Sequence, residues 1–177
     1  MLIGLSGAAR SGKDTLADYL IQNYGFTKVA FADELKLLCA SNFNLSSEQL
    51  YGNLKEAKDY RYKKSPREIL QATGQFYRSI DIDFWVDKCI NKLLLNKKYV
   101  ITDCRLSNEY AAIKTLNGKI IRINRDSDLR GYVANSNDIS ETDLNNHNFD
   151  LTIENNGTLI DLYNKIDNWG MNNDIFK

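Results

Sequence analysis

The sequence predicts an α/β protein, a parallel sheet of about five strands covered by helices on both faces, and three observations carry that prediction. Short apolar runs alternate with amphipathic stretches along most of the chain, the order that builds a parallel sheet with helical crossovers. The first run leads through a glycine turn, Gly7-Ala-Ala-Arg-Ser-Gly12-Lys13, into a helical pattern. A later run, Tyr99-Val-Ile-Thr-Asp103, is apolar until it ends in a carboxylate, the form of a buried strand that carries a side chain to the sheet edge.

Each element has its own warrant. Leu2 to Ser6 is an apolar strand, and Thr15 to Tyr24 repeats apolar residues at Leu16, Tyr19, Leu20 and Tyr24 with helical spacing. Phe26 to Ala32 is a second strand, and Asp33 to Ser41 a helix whose leading acids suit its N-terminus. From Asn42 to Lys64 the chain turns polar, with Leu45, Leu50 and Leu54 as sparse anchors and a cluster of Lys55, Lys58, Arg61, Lys63 and Lys64, which reads as helical, mobile and surface-lying. Pro66, the only proline, opens a helix that Gly74 is expected to close. Gln75 to Ile82 then connects to an amphipathic helix over Asp83 to Leu95. After the strand Tyr99 to Asp103 come a helix over Leu106 to Leu116, a strand over Gly118 to Asn124, a last strand over Phe149 to Glu154 and a closing helix over Leu159 to Trp169. Residues 125 to 148 are polar and too long for an ordinary connection, so they are expected to form a lid carrying Arg125 and Arg130.

Composition bounds the rest. A chain of 177 residues fits a single domain, 1–177, with enough length to bury about 70% of its unfolded surface. Lys plus Arg equals Asp plus Glu at 23 each, so no global field favours nucleic acid or an anionic membrane, and anion binding must be local. Cys39, Cys89 and Cys104 are widely spaced, and the single His147 completes no Cys/His metal pattern, which suits a reducing compartment. The opening residues lack the basic flank and length of a signal peptide, and a cytoplasmic protein is expected.

The glycine turn is a phosphate-binding loop of the Walker type. Glycines let backbone N–H groups turn inward around an anion, the following helix adds its positive end, and Lys13 supplies a mobile charge. Gly7, Arg10, Ser11, Gly12, Lys13, Asp14 and Thr15 are thus the candidate ATP-binding set. Asp14 stands where a Mg²⁺-binding hydroxyl is usual and Thr15 follows one place late, so Asp14, Thr15 and Asp103 are the candidate metal partners, directly or through water. A phosphate loop followed by Asp103-x-Arg105 at a second strand end describes phosphoryl transfer between two anionic substrates. In that reading Arg105 and Arg67 grip an acceptor phosphate, Asp103 serves either the metal shell or the acceptor, and Glu109 pairs with Arg105 or reaches the acceptor sugar. Trp85, Phe76 and Tyr77 are candidates either for a base-stacking wall or for the core.

Leu5-Ser-Gly-Ala-Ala-Arg-Ser-Gly-Lys-Asp-Thr15, Leu70-Gln-Ala-Thr-Gly74 with Trp85-Val86, Asp103-x-Arg105-x-x-x-Glu109, and Ile139-Ser-Glu141 followed by Asp150-Leu-Thr-Ile-Glu-Asn-Asn-Gly-Thr-Leu159 together resemble the bacteriophage deoxynucleoside monophosphate kinases. The resemblance implies a three-layer P-loop NTPase fold with an NMP-binding region near 42–82 and a lid near 125–148. It implies transfer of the γ-phosphate of ATP, with Mg²⁺, to deoxynucleoside monophosphates in the host cytoplasm, with no nucleic-acid or membrane partner and with homodimerisation left open. Arg67, Gly74, Trp85, Asp103, Arg105 and Glu109 fall at acceptor positions; Lys13, Asp103, Arg105 and Arg125 fall at catalytic ones. The chain departs from the family in lacking a larger insertion within 42–64 and in placing Glu68 and Gln75 where a basic residue and Thr are expected, which bears on base selectivity. The same residues also suit a kinase of another small phosphorylated acceptor, of the dephospho-coenzyme A or phosphomevalonate type, or a P-loop ATPase or nucleotide-dependent switch that transfers to no acceptor.

Overall fold

The computed structural model describes residues 1–130 and 139–176. The chain forms two compact units, Met1–Ala30 with Leu93–Lys177, and Phe31–Lys92. The first unit opens with β1 (Leu2–Ser6), α1 (Lys13–Tyr24) and β2 (Thr27–Val29). The second follows with α2 (Asp33–Phe43), α3 (Ser47–Tyr51), a 3-10 turn (Asn53–Glu56), α4 (Pro66–Ile80) and α5 (Phe84–Ile90). The chain then returns to the first unit with β3 (Tyr99–Ile101), α6 (Ser107–Thr115), β4 (Lys119–Asn124), α7 (Ser127–Arg130), α8 (Ile139–Thr142), β5 (Leu151–Glu154) and α9 (Leu159–Asn172).

The five strands form one parallel sheet in the order β2-β3-β1-β4-β5, with Leu2 opposite Tyr99 and Ser6 opposite Arg122. Strand periodicity then sorts side chains between its faces. Ile3 and Leu5 of β1, with Ile121, Ile123 and Ile153, pack against Leu16, Ala17 and Leu20 of α1 and Leu162 and Ile166 of α9. Gly4 points the other way, where α6 closes on the sheet: a Cβ there would lie 2.5 Å from Ile113 Cδ1. Helices therefore cover both faces of this sheet, as the alternating pattern requires.

Because all strands run the same way, the ends of β1, β3, β4 and β5 deliver Gly7, Thr102, Arg125 and Asn155 to one edge. That edge is where open α/β sheets gather ligands.

In the second unit, Leu35, Cys39, Leu45, Leu50, Ile69, Leu70 and Trp85 form a separate core. Pro66 opens α4 as expected, behind a capping box in which Ser65 and Glu68 satisfy each other's backbone N–H. Gly74 does not close that helix, which runs on to Ile80. Its missing side chain is used for packing instead, since a Cβ at Gly74 would meet Leu35 Cδ2 at 3.2 Å. The helix α5 stops at Ile90 rather than Leu95, because Leu94 and Leu95 are exposed and bury no face that would hold another turn. The stretch 42–64 is surface-lying, but it is organised around buried Asp59, which accepts from Arg61 Nε at 2.9 Å and Gln49 Nε2 at 2.8 Å. The Arg61 bonds hold the Asp59 carboxyl far below the usual carboxylate range.

Of the segment expected as a lid, residues 131–138 and the side chains of Arg130, Ser140 and Glu141 lie outside the described residues. Its C-terminal part is packed: Leu144 is 2% exposed. Among the described residues no helix is long and apolar enough to cross a membrane.

Asp150 ties three elements of the first unit together at the start of β5. It accepts from Lys114 at 2.8 Å, Lys119 at 3.1 Å and the Ile120 N–H at 2.8 Å. Burial opposes its ionisation, yet Lys114, the Ile120 N–H and Lys119 together hold its carboxyl below the ordinary value. A depressed carboxyl stabilises the fold above its unfolded pKa near 4, and the contribution is lost as pH falls through the lower folded value. Asp150→Ala is expected to destabilise the protein by about 2–4 kcal/mol at pH 7, with the wild-type advantage shrinking below about pH 4 in denaturant melts.

Candidate functional site

The loop between β1 and α1 is built by three left-handed residues, Gly7 (φ 144°), Arg10 (φ 61°) and Gly12 (φ 108°). Two of these need glycine for space as well as for backbone freedom. A Cβ at Gly7 would lie 2.3 Å from the Ile123 carbonyl oxygen, and one at Gly12 would lie 2.4 Å from Asn155 Nδ2. The Asn155 amide, buried at the end of β5, donates to the Ser11 carbonyl at 2.8 Å and so pins the loop from the far strand.

Lys13 curls back over its own loop, with Nζ donating to the carbonyls of Gly7 (2.8 Å) and Ala8 (2.6 Å). Lys13 is 7% exposed, and its ammonium stands over the cradle. Ser11 is fully buried, and its hydroxyl has no hydrogen-bond partner among the described residues. An unpaired buried donor inside a glycine cradle, at the start of a helix of 12 residues, is a fit for an anion that brings its own oxygens.

The two metal candidates of the loop differ in their surroundings. Asp14 is exposed and its carboxylate accepts from Lys28 Nζ of β2 at 2.9 Å. It also sits in the first turn of α1, where negative charge complements the helix dipole. A carboxylate this close to bound phosphates needs a counter-charge, and Lys28 supplies one besides any metal. Thr15 is half-buried and offers the hydroxyl one residue further on.

Beyond β3, Asp103, Arg105 and Leu106 are half-buried. Cys104 between them is fully buried, and its N–H donates to the Leu5 carbonyl at 3.2 Å. Burial, then Glu109 and Asp103, push its thiol well up, so it stays protonated near neutrality. Glu109 is buried, at 5% exposure, and its carboxylate accepts from the backbone N–H groups of Arg105 at 2.7 Å and Leu106 at 3.0 Å. It pairs with Arg105 through that residue's backbone and is no solvated helix carboxylate. Arg125 follows β4, and its Nε is buried without a hydrogen-bond partner among the described residues.

The other acceptor candidates belong to the second unit. Arg67 there is ion-paired with Glu56 through Nε. Trp85 is 3% exposed, packs edge-on against Phe84 and Tyr77, and donates its indole N–H to the Gly74 carbonyl at 3.1 Å. Gly74 and Trp85 are therefore one core contact. Of the three aromatic candidates for a stacking wall, Phe76 is the exposed one, at 60%.

Four residues near the edge escaped the sequence reading: Lys28, Arg122, Asp143 and Asn155. Arg122 on β4 donates from Nη1 to Ser6 Oγ at 3.2 Å and from Nη2 to Asn145 Oδ1 at 3.1 Å, and it lies over the Phe149 ring. Partners this far apart in sequence leave no local pattern. The Asn155-Asn-Gly-Thr158 turn gave a partial signal, since an Asn directly after a strand has its amide free to reach a neighbouring loop.

The family model and the sequence relatives agree on one family. A family model described as deoxynucleotide monophosphate kinase matches residues 1–72 and 53–166. A protein of Acanthamoeba polyphaga mimivirus, provisionally named deoxynucleotide monophosphate kinase, is 33% identical, with 94% of each chain covered. The deoxynucleotide monophosphate kinase of Enterobacteria phage T4 is 25% identical over 94% of this chain and 97% of its own. Among solved structures, dephospho-CoA kinase from Campylobacter jejuni is similar in fold, with a TM-score of 0.51 at 15% identity and with 99% and 97% of the two chains covered.

Gly12→Ala tests the cradle. The added methyl enters the space of the Asn155 amide at a left-handed position, so stability should fall by about 1–3 kcal/mol in thermal melts. ATP affinity, read by calorimetry at a temperature where the variant is folded, should fall by about tenfold or more.

Proposed function

We propose that this chain, which belongs to the deoxynucleotide monophosphate kinase family, transfers the γ-phosphoryl group of ATP to the phosphate of a deoxynucleoside monophosphate, in the cytoplasm where both nucleotides are found. One observation supports the reading most: a glycine cradle with a buried lysine stands at the end of β1, while Asp103-x-Arg105 and Arg125 follow the ends of β3 and β4 on the same sheet edge.

In the reaction an oxygen of the acceptor phosphate attacks the γ-phosphorus in line. The bond to the β,γ-bridging oxygen breaks, and ADP leaves with that electron pair. The N–H groups around Gly7 to Thr15 hold the triphosphate, and Lys13 exchanges its bonds with the Gly7 and Ala8 carbonyls for β and γ oxygens. The Ser11 hydroxyl gains the partner it lacks. Thr15 and Asp103 are hard-oxygen donors that would hold Mg²⁺ directly or through water, with Asp14 adding negative charge beside Lys28. Bound there, Mg²⁺ supplies neutralisation of charge on the β and γ oxygens.

Arg105 grips the acceptor phosphate with the planar fork that Lys lacks, and Arg125 brings its buried Nε, which has no partner among the described residues, toward the transferring group. Asp103 orients either the metal shell or the acceptor. In the second unit, Arg67 is ion-paired with Glu56 through Nε, so a phosphate oxygen would fall to its Nη groups, and Gly74 and Trp85 act on the acceptor by fixing the shape of that unit's core.

The test is a panel of deoxy and ribo monophosphates, dephospho-coenzyme A and phosphomevalonate, each with ATP and Mg²⁺. Diphosphate should form from at least one deoxynucleoside monophosphate. Product from the other acceptors alone, or phosphate release that no acceptor changes, would contradict the assignment. Arg105→Lys should raise KM for the monophosphate by about tenfold or more and leave KM for ATP within about twofold. Equal losses for both substrates would remove Arg105 from the acceptor side.

A further inference from the structure

We infer that Asp143 is a positioning residue for Arg105: it fixes the first turn of α6 and thereby ties the C-terminal root of segment 125–148 to the arginine that grips the acceptor. The role of Arg105 rests on the function proposed above; the contact itself does not.

A helix N-terminus presents backbone N–H groups without intrahelical partners. At α6 two carboxylates of the protein accept from the N–H groups of Arg105, Leu106 and Ser107. Glu109 Oε2 accepts from Arg105 and Leu106, as described, and Asp143 Oδ2 accepts from the Ser107 N–H at 2.6 Å and the Ser107 hydroxyl at 2.8 Å. Glu109 belongs to the helix it caps. Asp143 lies 36 residues beyond Ser107, just after α8.

Arg105 is therefore bracketed. On its sheet side, Cys104 is fixed by the Leu5 carbonyl; on its helix side, Ser107 is fixed by Asp143. Two such anchors within four residues leave the Arg105 backbone little freedom, and each is a bond of 3.2 Å or shorter.

Asp143 can serve as an anchor because its own neighbours are fastened. Leu144 is buried, Asn145 accepts from Arg122, Asn148 accepts from the Tyr110 hydroxyl, and the His147 ring packs on Tyr110 with 4.7 Å between centroids. Arg122 in turn reaches Ser6, the residue before Gly7. A displacement of this root would thus be felt first at Ser107 and then at Arg105. Charge-assisted bonds to a helix start are short-range, so the effect should fall on the acceptor side.

Three variants with two readouts test this. Asp143→Ala removes the carboxylate, Asp143→Asn keeps an accepting oxygen in the same place, and Ser107→Ala removes one of the two bonds. In steady-state kinetics, Asp143→Ala should raise KM for the monophosphate by about tenfold with KM for ATP within about twofold, and Asp143→Asn should recover most of the loss. In ligand-free protein, amide exchange at Arg105 and Ser107 should quicken in Asp143→Ala while Leu5 keeps its protection. Ser107→Ala should shift both readouts the same way by less, and it decides the matter if Asp143→Ala does not fold. Unchanged acceptor KM, equal losses in both substrates that follow thermal stability, or unchanged exchange at Arg105 would overturn the inference. If the wild type phosphorylates no monophosphate, the proposed function fails, and the exchange data still decide whether Asp143 sets Arg105.

Discussion

The close approach of Gly7 to the Ile123 carbonyl is the constraint on which the rest of the first unit's edge depends. No other residue type leaves room there, since a Cβ would stand 2.3 Å from that oxygen. The approach sets where the loop leaves β1, and so where Lys13 and the start of α1 lie. Gly12 repeats the device one turn later against Asn155, whose amide closes the loop through the Ser11 carbonyl. The loop is thus held by β4 and β5 and its anion-binding shape exists before any ligand arrives, which spares binding the cost of ordering it.

Polar contacts between distant segments do the remaining positioning. Asp14 with Lys28, Arg122 with Ser6 and Asn145, Asp143 with Ser107 and Asp150 with Lys114 and Ile120 each join elements that the apolar core alone would leave free to slide. Packing of Ile, Leu and Val side chains fixes the sheet and its helices. Directional bonds fix where the functional groups stand at the edge. Lys13 and Ser11 are exceptions with a purpose: one turns its charge onto loop carbonyls and the hydroxyl of the other has no partner among the described residues, so both have bonds to gain from a phosphate.

The parallel sheet, the cradle and the Asp103-x-Arg105 edge were legible in the sequence because their signals are local. Apolar runs mark strands, glycine spacing marks the loop, and a carboxylate after an apolar run marks a strand end. Gly74 misled because its stop signal is a backbone propensity, worth about 1 kcal/mol, which close packing against Leu35 outweighs. Glu109 was findable as a cap, three residues after Leu106 at the third helical position, but its burial was not. The bonds of Lys28 to Asp14, Asn155 to Ser11, Arg122 to Ser6 and Asn145, and Asp143 to Ser107 span between 14 and 144 residues, too far for a local sequence pattern to show both halves.

The central claim is that the cradle is the donor half of a transfer reaction, and the fate of labelled phosphate tests it most directly. With [γ-³²P]ATP, Mg²⁺ and a deoxynucleoside monophosphate that the protein accepts, the label should appear on the monophosphate in equal amount to the ADP formed. Label recovered as free phosphate in equal amount to ADP, with the monophosphate unchanged, would contradict the account.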